Sequence, residues 1–260
     1  MNATTLALVG ATGGAGTTRT AVELAAVGAR AGRDVAVVDA AFTTQGLSEY
    51  VHGRIGTDLT SLVTDDADAS LSAATYPIAI GDVDDGETGT TLPGRADVVP
   101  ARAPFERAAR AKTAEAARKL ERRIDEAATA YDAVIVDASP VGSNEAVAAV
   151  TTVDRVGAVR PATPHGRDAL QRLRGRVADV GASVDTTVAI QRGTDAEMDG
   201  TAADADLVVP PTTPAVTSAP SAASGSGEYV QAVIDAYAGL FNTTVDIDFE
   251  DDGLVERLRS

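Results

Sequence analysis

A chain of 260 residues with 44% hydrophobic side chains has room for one large domain or two small ones, and this composition excludes global disorder. Cysteine is absent and only His52 and His165 carry imidazoles, which excludes disulfides, cysteine-based metal sites or clusters and a cysteine nucleophile, and argues against a histidine-rich metal site. Acids outnumber bases 38 to 22, the formal net charge is −16, and lysine occurs only at 112 and 119, so binding to nucleic acid through a simple basic face is disfavoured.

Met1–Thr5 has no cationic lead, and the apolar run Leu6–Val9 is too short for a signal peptide or a membrane span, so the chain reads as soluble and cytoplasmic. That run is a buried strand, followed by the glycine-rich turn Gly10–Gly16, a helix to about Ala31 ended by Gly32, and a strand Val35–Val38 closing on Asp39. Short strands are expected at Tyr76–Ile80 and Asp97–Val99, with an acidic, glycine-rich loop Gly81–Gly94 between them. A long charged helix over 105–130 points Ala117, Leu120, Ile124 and Ala127 inward. Strands Ala133–Val136 (ending at Asp137), Arg155–Val159, Thr186–Ile190 and Leu207–Val209 follow, with a helix marked by Leu170, Leu173, Val177 and Val180 among them. Beyond Pro210-Pro211, the low-complexity stretch Ser218–Gly227 reads as a mobile loop. Val230, Val233, Ile234, Tyr237 and Phe241 line a last helix, and residues 246–260 form an acidic tail after a single domain spanning 1–245. His52 and His165 read as surface loop residues.

Strands that are apolar throughout and separated by helices predict an α/β fold, a mainly parallel sheet with helices on both faces. In such sheets the ligand binds at the carboxyl ends of the strands, so the turn after the first strand matters most. Its glycines allow close backbone approach to a phosphate, and the helix start behind them favours an anion. A tight turn with no ligand stays open as the plain alternative.

Two families compete for this turn. As Gly10-x-x-Gly13-x-x-Gly16 followed by Asp39, it resembles the NAD(P) fingerprint of the short-chain dehydrogenases, with Asp39 on the ribose. That family's catalytic Tyr-x-x-x-Lys pair has no counterpart, since neither lysine has a tyrosine four residues before it. As Thr12-Gly13-Gly14-Ala15-Gly16-Thr17-Thr18, it resembles the deviant Walker A motif of the MinD/ParA family of P-loop ATPases. The stretch Asp39-Ala40 to Gln45-Gly46 resembles that family's switch I. Val98-Val99-Pro100-Ala101 resembles its strand end, Tyr131–Gly142 its Walker B and switch II region, and Gln191-Arg192 stands where it ends a strand with an adenine-reading Asn-Arg. These motifs occur in order from Met1 to about Phe241, and the family is favoured over the dehydrogenases.

The resemblance implies a P-loop NTPase-like three-layer sandwich that binds ATP or ADP with Mg2+. It implies phosphate and base contacts from Gly13, Gly14, Ala15, Gly16, Thr17, Thr18, Arg19, Gln191 and Arg192. It also implies a metal held by Thr18, Asp39 and Asp137, the two acids being the catalytic carboxylates; capping of the turns that follow them is the alternative role. Thr12 and Thr17 replace the family's two lysines, and Ala11 replaces its leading glycine. Phosphoryl transfer depends on neutralising developing charge, so a slow ATPase or a pseudo-ATPase that works by binding is expected. Arg19 and Arg102 are candidates for the lost cation. A protein partner, a homodimer and a role in positioning, partitioning or division placement come with the resemblance. The acid excess, with lysine nearly absent, resembles the proteins of halophilic archaea, whose charged surface stays hydrated in concentrated salt.

Overall fold

The structure is a computed structural model and describes residues 3–66, 68–78, 92–192, 204–213 and 215–247. Most of the expected loop 81–94 and the acidic tail from 248 onward lie outside the described residues. Eight strands form one sheet: β1 (Thr4–Gly10), β2 (Asp34–Asp39), β3 (Tyr76–Pro77), β4 (Arg95–Val99), β5 (Ala133–Ala138), β6 (Arg155–Pro161), β7 (Thr186–Ile190) and β8 (Leu207–Val209). Their order is β3-β4-β2-β5-β1-β6-β7-β8, parallel except where β3 pairs antiparallel with β4 at the edge.

The central strand β1 shows why both faces must be covered. Leu6 and Leu8 point into one core with Val35, Val37, Ile135 and Val188. The α1 helix (Thr17–Arg30) and the α7 helix (Glu228–Phe241) cover that face. Ala7 and Val9 point the other way, into a core with Val38, Val134 and Val136. That face is covered by α2 (Leu59–Thr64), α4 (Ala114–Ala130), α5 (Asn144–Thr152) and α6 (Pro164–Asp179). Side chains in a strand alternate between faces, so a run that is apolar throughout fits only the middle of three layers. The expected fold is the observed one.

Two expectations need correction. The helix expected over 105–130 is two helices, α3 (Phe105–Arg110) and α4, because Thr113 is extended and its hydroxyl caps α4 by accepting from the Ala116 N–H at 3.3 Å. Ser218–Gly227 is not a loose loop. Turns of 3-10 helix at Val216–Ser218 and Ser221–Ala223 pack it down, and Ala222 and Ala223 are buried. The helices α2 and α5 carry no mark in the periodicity reading, being only 6 and 9 residues long. His52 and His165 are both exposed, though His165 sits in the first turn of α6 rather than in a loop.

Candidate nucleotide site

All the motif residues gather at the carboxyl ends of the parallel strands. After Gly10 the chain turns tightly; Gly14 and Gly16 adopt φ of +68° and +97°, a region where a side chain would be strained. Gly10 has no room for a side chain either: a Cβ there would lie 2.8 Å from Thr17 Oγ1. The Thr17 hydroxyl thus lies close over Gly10, and Thr17 also lines the cleft. Helix α1 begins at Thr17 with no side-chain cap and no acid in its first turn. Its leading N–H groups face a cleft of about 280 Å³ lined by residues 12–19, Asp137–Pro140 and Arg192. Uncapped helix N–H groups carry partial positive charge and suit an anion.

One buried carboxylate, Asp137, lines this cleft, and a second, Asp39, lies beside it. Asp39 and Asp137 are neighbours in register on the adjacent strands β2 and β5. Asp39 Oδ1 accepts from the Ala41 N–H at 3.0 Å and Oδ2 from the Ala101 N–H at 3.2 Å. This acid clamps the turn after β2 to the end of β4, which is the capping role. Gln45 reinforces the clamp: its Oε1 accepts from the Ala103 N–H at 2.8 Å and its Nε2 donates to the Ala103 carbonyl at 3.0 Å. Asp137 differs, because its Oδ2 is buried with no hydrogen-bond partner among the described residues. Burial, reinforced by Asp137, raises the Asp39 pKa to about 8. Burial likewise raises Asp137 to about 6, with the Thr18 hydroxyl pulling the other way. A bare carboxylate oxygen beside a threonine hydroxyl is a hard-oxygen donor pair that suits Mg2+, whose other positions phosphate and water can fill. No group of three or more His, Asp or Glu fit to hold a metal occurs among the described residues.

A second, apolar pocket of about 560 Å³ adjoins the first and shares Gly16, Arg19 and Arg192 with it. Ile190, Gln191, Val209, Pro210, Pro211 and Tyr229 line it. The sequence reading did not assign Pro210, Pro211 and Tyr229 to the site, although two prolines directly after an apolar strand marked a wall at that position.

The two arginines of the motif part company. Arg19 is bound away from the glycine turn: its Nε donates to Glu23 at 2.7 Å, and its Nη atoms donate to the carbonyls of Thr213, Ala215 and Ser218 and to the Ser221 hydroxyl. Arg192 lies over the turn, with Nη2 2.5 Å from the Gly14 carbonyl. Arg102 is exposed, and its backbone N–H donates to Asp58. Lys119 pairs with Glu115 on α4. Lys112 lies between α3 and α4 rather than on a helix, and its Nζ is 3.0 Å from Thr43 Oγ1, in the segment after Asp39.

The strand order decides between the two readings of the glycine turn. In a dinucleotide-binding sheet the second strand lies beside the first, so that its terminal acid reaches the ribose. Here β5 stands between β1 and β2, and Asp39 faces Asp137 instead.

Comparisons with known proteins agree with this geometry. The model of an AAA-domain family matches residues 3–190. No curated protein sequence matches. Among solved structures, the cell division ATPase MinD of Pyrococcus furiosus superposes with a TM-score of 0.68 at 17% identity, over 92% of this chain and 97% of that one. The MinC:MinD cell division protein complex of Aquifex aeolicus gives 0.69 at 15%, over 95% and 99%. A ParA family ATPase from Chlorobium tepidum gives 0.67 at 16%, over 90% and 98%.

Proposed function

Since this chain belongs to the AAA-domain family and has the fold of the MinD and ParA P-loop ATPases, we propose that it is an adenine-nucleotide-binding protein with weak or absent ATPase activity. Its output is partner binding in spatial positioning, partitioning or division control; two structures of this fold are named as cell division proteins. One observation carries the nucleotide reading: the uncapped start of α1 opens into a cleft that is continuous with an apolar pocket of base size. The backbone N–H groups of the 13–18 turn hold phosphate, and the apolar pocket takes the base against Pro210, Pro211 and Gln191. Thr18 and Asp137 would hold Mg2+, with Asp39 fixing the turn beside them; bound there, the ion neutralises phosphate charge.

Turnover is where the site is weak. Hydrolysis needs cations on the charge that develops at the terminal phosphate, and Thr12 and Thr17 supply none. The expected behaviour is a binding module with little turnover. Titration calorimetry of the full chain with ATP, ADP and NAD in molar KCl tests this. Binding of ATP and ADP with Mg2+, and none of NAD, is the expected result. Tight NAD binding, or no binding of either adenine nucleotide, overturns it.

A further inference from the structure

We propose that Arg192 is the phosphate-binding cation of this site, and that it acts on the phosphates next to the ribose, so that ADP and ATP bind with nearly equal affinity. This rests on the nucleotide reading above and adds what that reading lacks, a positive charge. Two guanidinium groups line the clefts, those of Arg19 and Arg192. Arg19 is held by the buried carboxylate of Glu23 and by three main-chain carbonyls of the 213–218 segment, so leaving would break several bonds at once. Among the described residues Arg192 makes one short bond, to a neutral carbonyl, that of Gly14, inside the turn that would cradle phosphate. A phosphate oxygen is a stronger acceptor for a guanidinium than an amide carbonyl, and the exchange needs only a side-chain rotation.

Position fixes which phosphates Arg192 meets. The base lies in the apolar pocket and the phosphate chain runs to the helix start, so the junction of the two clefts faces the first phosphates. Gly16, Arg19 and Arg192 form that junction, with Arg19 turned to Glu23; a Cβ on Gly16 would lie 3.6 Å from Arg192 Nη2. Away from that junction the cleft is lined by the neutral Thr12 and Thr17 and by Asp137, and among the described residues no cation other than Arg19 and Arg192 lines it. The outcome is a site that holds the diphosphate and is nearly indifferent to the third phosphate.

The test is calorimetric binding of adenosine, ADP with Mg2+ and ATP with Mg2+ to the unmodified chain, Arg192→Ala and Arg192→Lys, at one fixed KCl concentration. Arg192 is largely solvent-facing, and matching thermal melts establish that the variants fold. Expected are ADP and ATP affinities within about threefold of each other, both reduced about 10- to 100-fold by Arg192→Ala, the range of a charge-assisted hydrogen bond. Adenosine binding is expected to be unchanged, and Arg192→Lys to recover part of the loss. Equal losses for adenosine and the nucleotides would mean that Arg192 only shapes the base pocket, and would overturn the proposal. A loss confined to ATP would place the charge on the terminal phosphate and also overturn it. If the unmodified chain binds adenosine but Arg192→Ala leaves ADP and ATP untouched, this proposal falls while the nucleotide reading stands. If it binds none of the three, both fall.

Discussion

Glu23 gives the most direct test of how the base pocket is held together. It is fully buried in α1, and its carboxylate accepts from Arg19 Nε at 2.7 Å, the Ser221 N–H at 2.9 Å and the Ala222 N–H at 2.7 Å. Through Arg19 the same cluster reaches the carbonyls of Thr213, Ala215 and Ser218, so one acid anchors the segment that follows the pocket wall at Pro210-Pro211. Glu23→Ala would leave the Arg19 guanidinium without its counter-ion, its side chain being only 16% exposed, and would strip the acceptor from two backbone donors. Breaking a buried pair in this way costs about 3–5 kcal/mol. In a domain of this size that lowers Tm by roughly 6–20 °C, at about 2–4 °C per kcal/mol. The assay is thermal denaturation by circular dichroism in molar KCl, paired with adenosine binding, which should weaken as the segment loosens. Glu23→Gln keeps the shape and one acceptor oxygen, and should fall between the two. If Glu23→Ala melts within about 2 °C of the unmodified chain, the segment is held by other contacts and the reasoning fails.

The other predictions are briefer. Thr17→Lys places a cation at the glycine turn and should raise ATP affinity about tenfold or more; unchanged affinity would mean that the turn does not present this position to phosphate. The raised pKa values of Asp39 and Asp137 mean that the folded chain holds protons the unfolded chain has already released, so their stabilising contribution is present below about pH 4 and is lost as pH rises through about 6 and then about 8. Asp39→Asn should therefore gain stability relative to the unmodified chain between pH 5 and 8, and a gap in Tm that stays constant over that interval refutes the burial argument. With 38 acids against 22 bases, Tm should rise from low to molar KCl as screening relieves self-repulsion, and a flat or falling trend removes the salt argument. Because Thr12 carries no charge to place on a second subunit's phosphates, light scattering should show the same mass with and without ATP and Mg2+. An ATP-dependent doubling would refute that.

Most of the architecture was legible because it is written in short-range pattern. Leu6–Val9, Val35–Val38 and Ala133–Val136 are apolar on both faces, and only a central strand of a covered parallel sheet satisfies that, as β1, β2 and β5 do. The break in the 105–130 helix was less legible because the charge pattern runs through Thr113, and a threonine inside such a pattern looks like any polar surface residue until its hydroxyl is seen capping α4. The packing of Ser218–Gly227 was hidden for a different reason. Its composition is that of a linker, and what orders it is a carboxylate nearly two hundred residues away in the chain.

The same distinction separates the two arginines of the site. Arg19 stood beside Arg102 as a candidate for the lost cation; it lies three residues after the glycine turn, and nearness in sequence is all that a motif provides. Its role is set by Glu23 one helical turn later, an acid that had no reason to stand in the buried face of α1 unless something cationic was to be held there. An isolated acid amid Ala, Val and Leu was therefore the available signal that Arg19 was engaged elsewhere. Arg192 gives no such local signal, since it ends a strand far along the chain and meets Gly14 only because β7 lies two strands from β1, next to β6. The sheet order that brings Arg192 over the turn also places β5 between β1 and β2 and sets Asp137 opposite Asp39. The placement of Arg192 over the glycine turn and the pairing of the two acids are thus consequences of one topology. A single change at Arg192 would therefore remove the guanidinium that lies over the glycine turn while leaving the carboxylate pair, and the fold that builds it, intact.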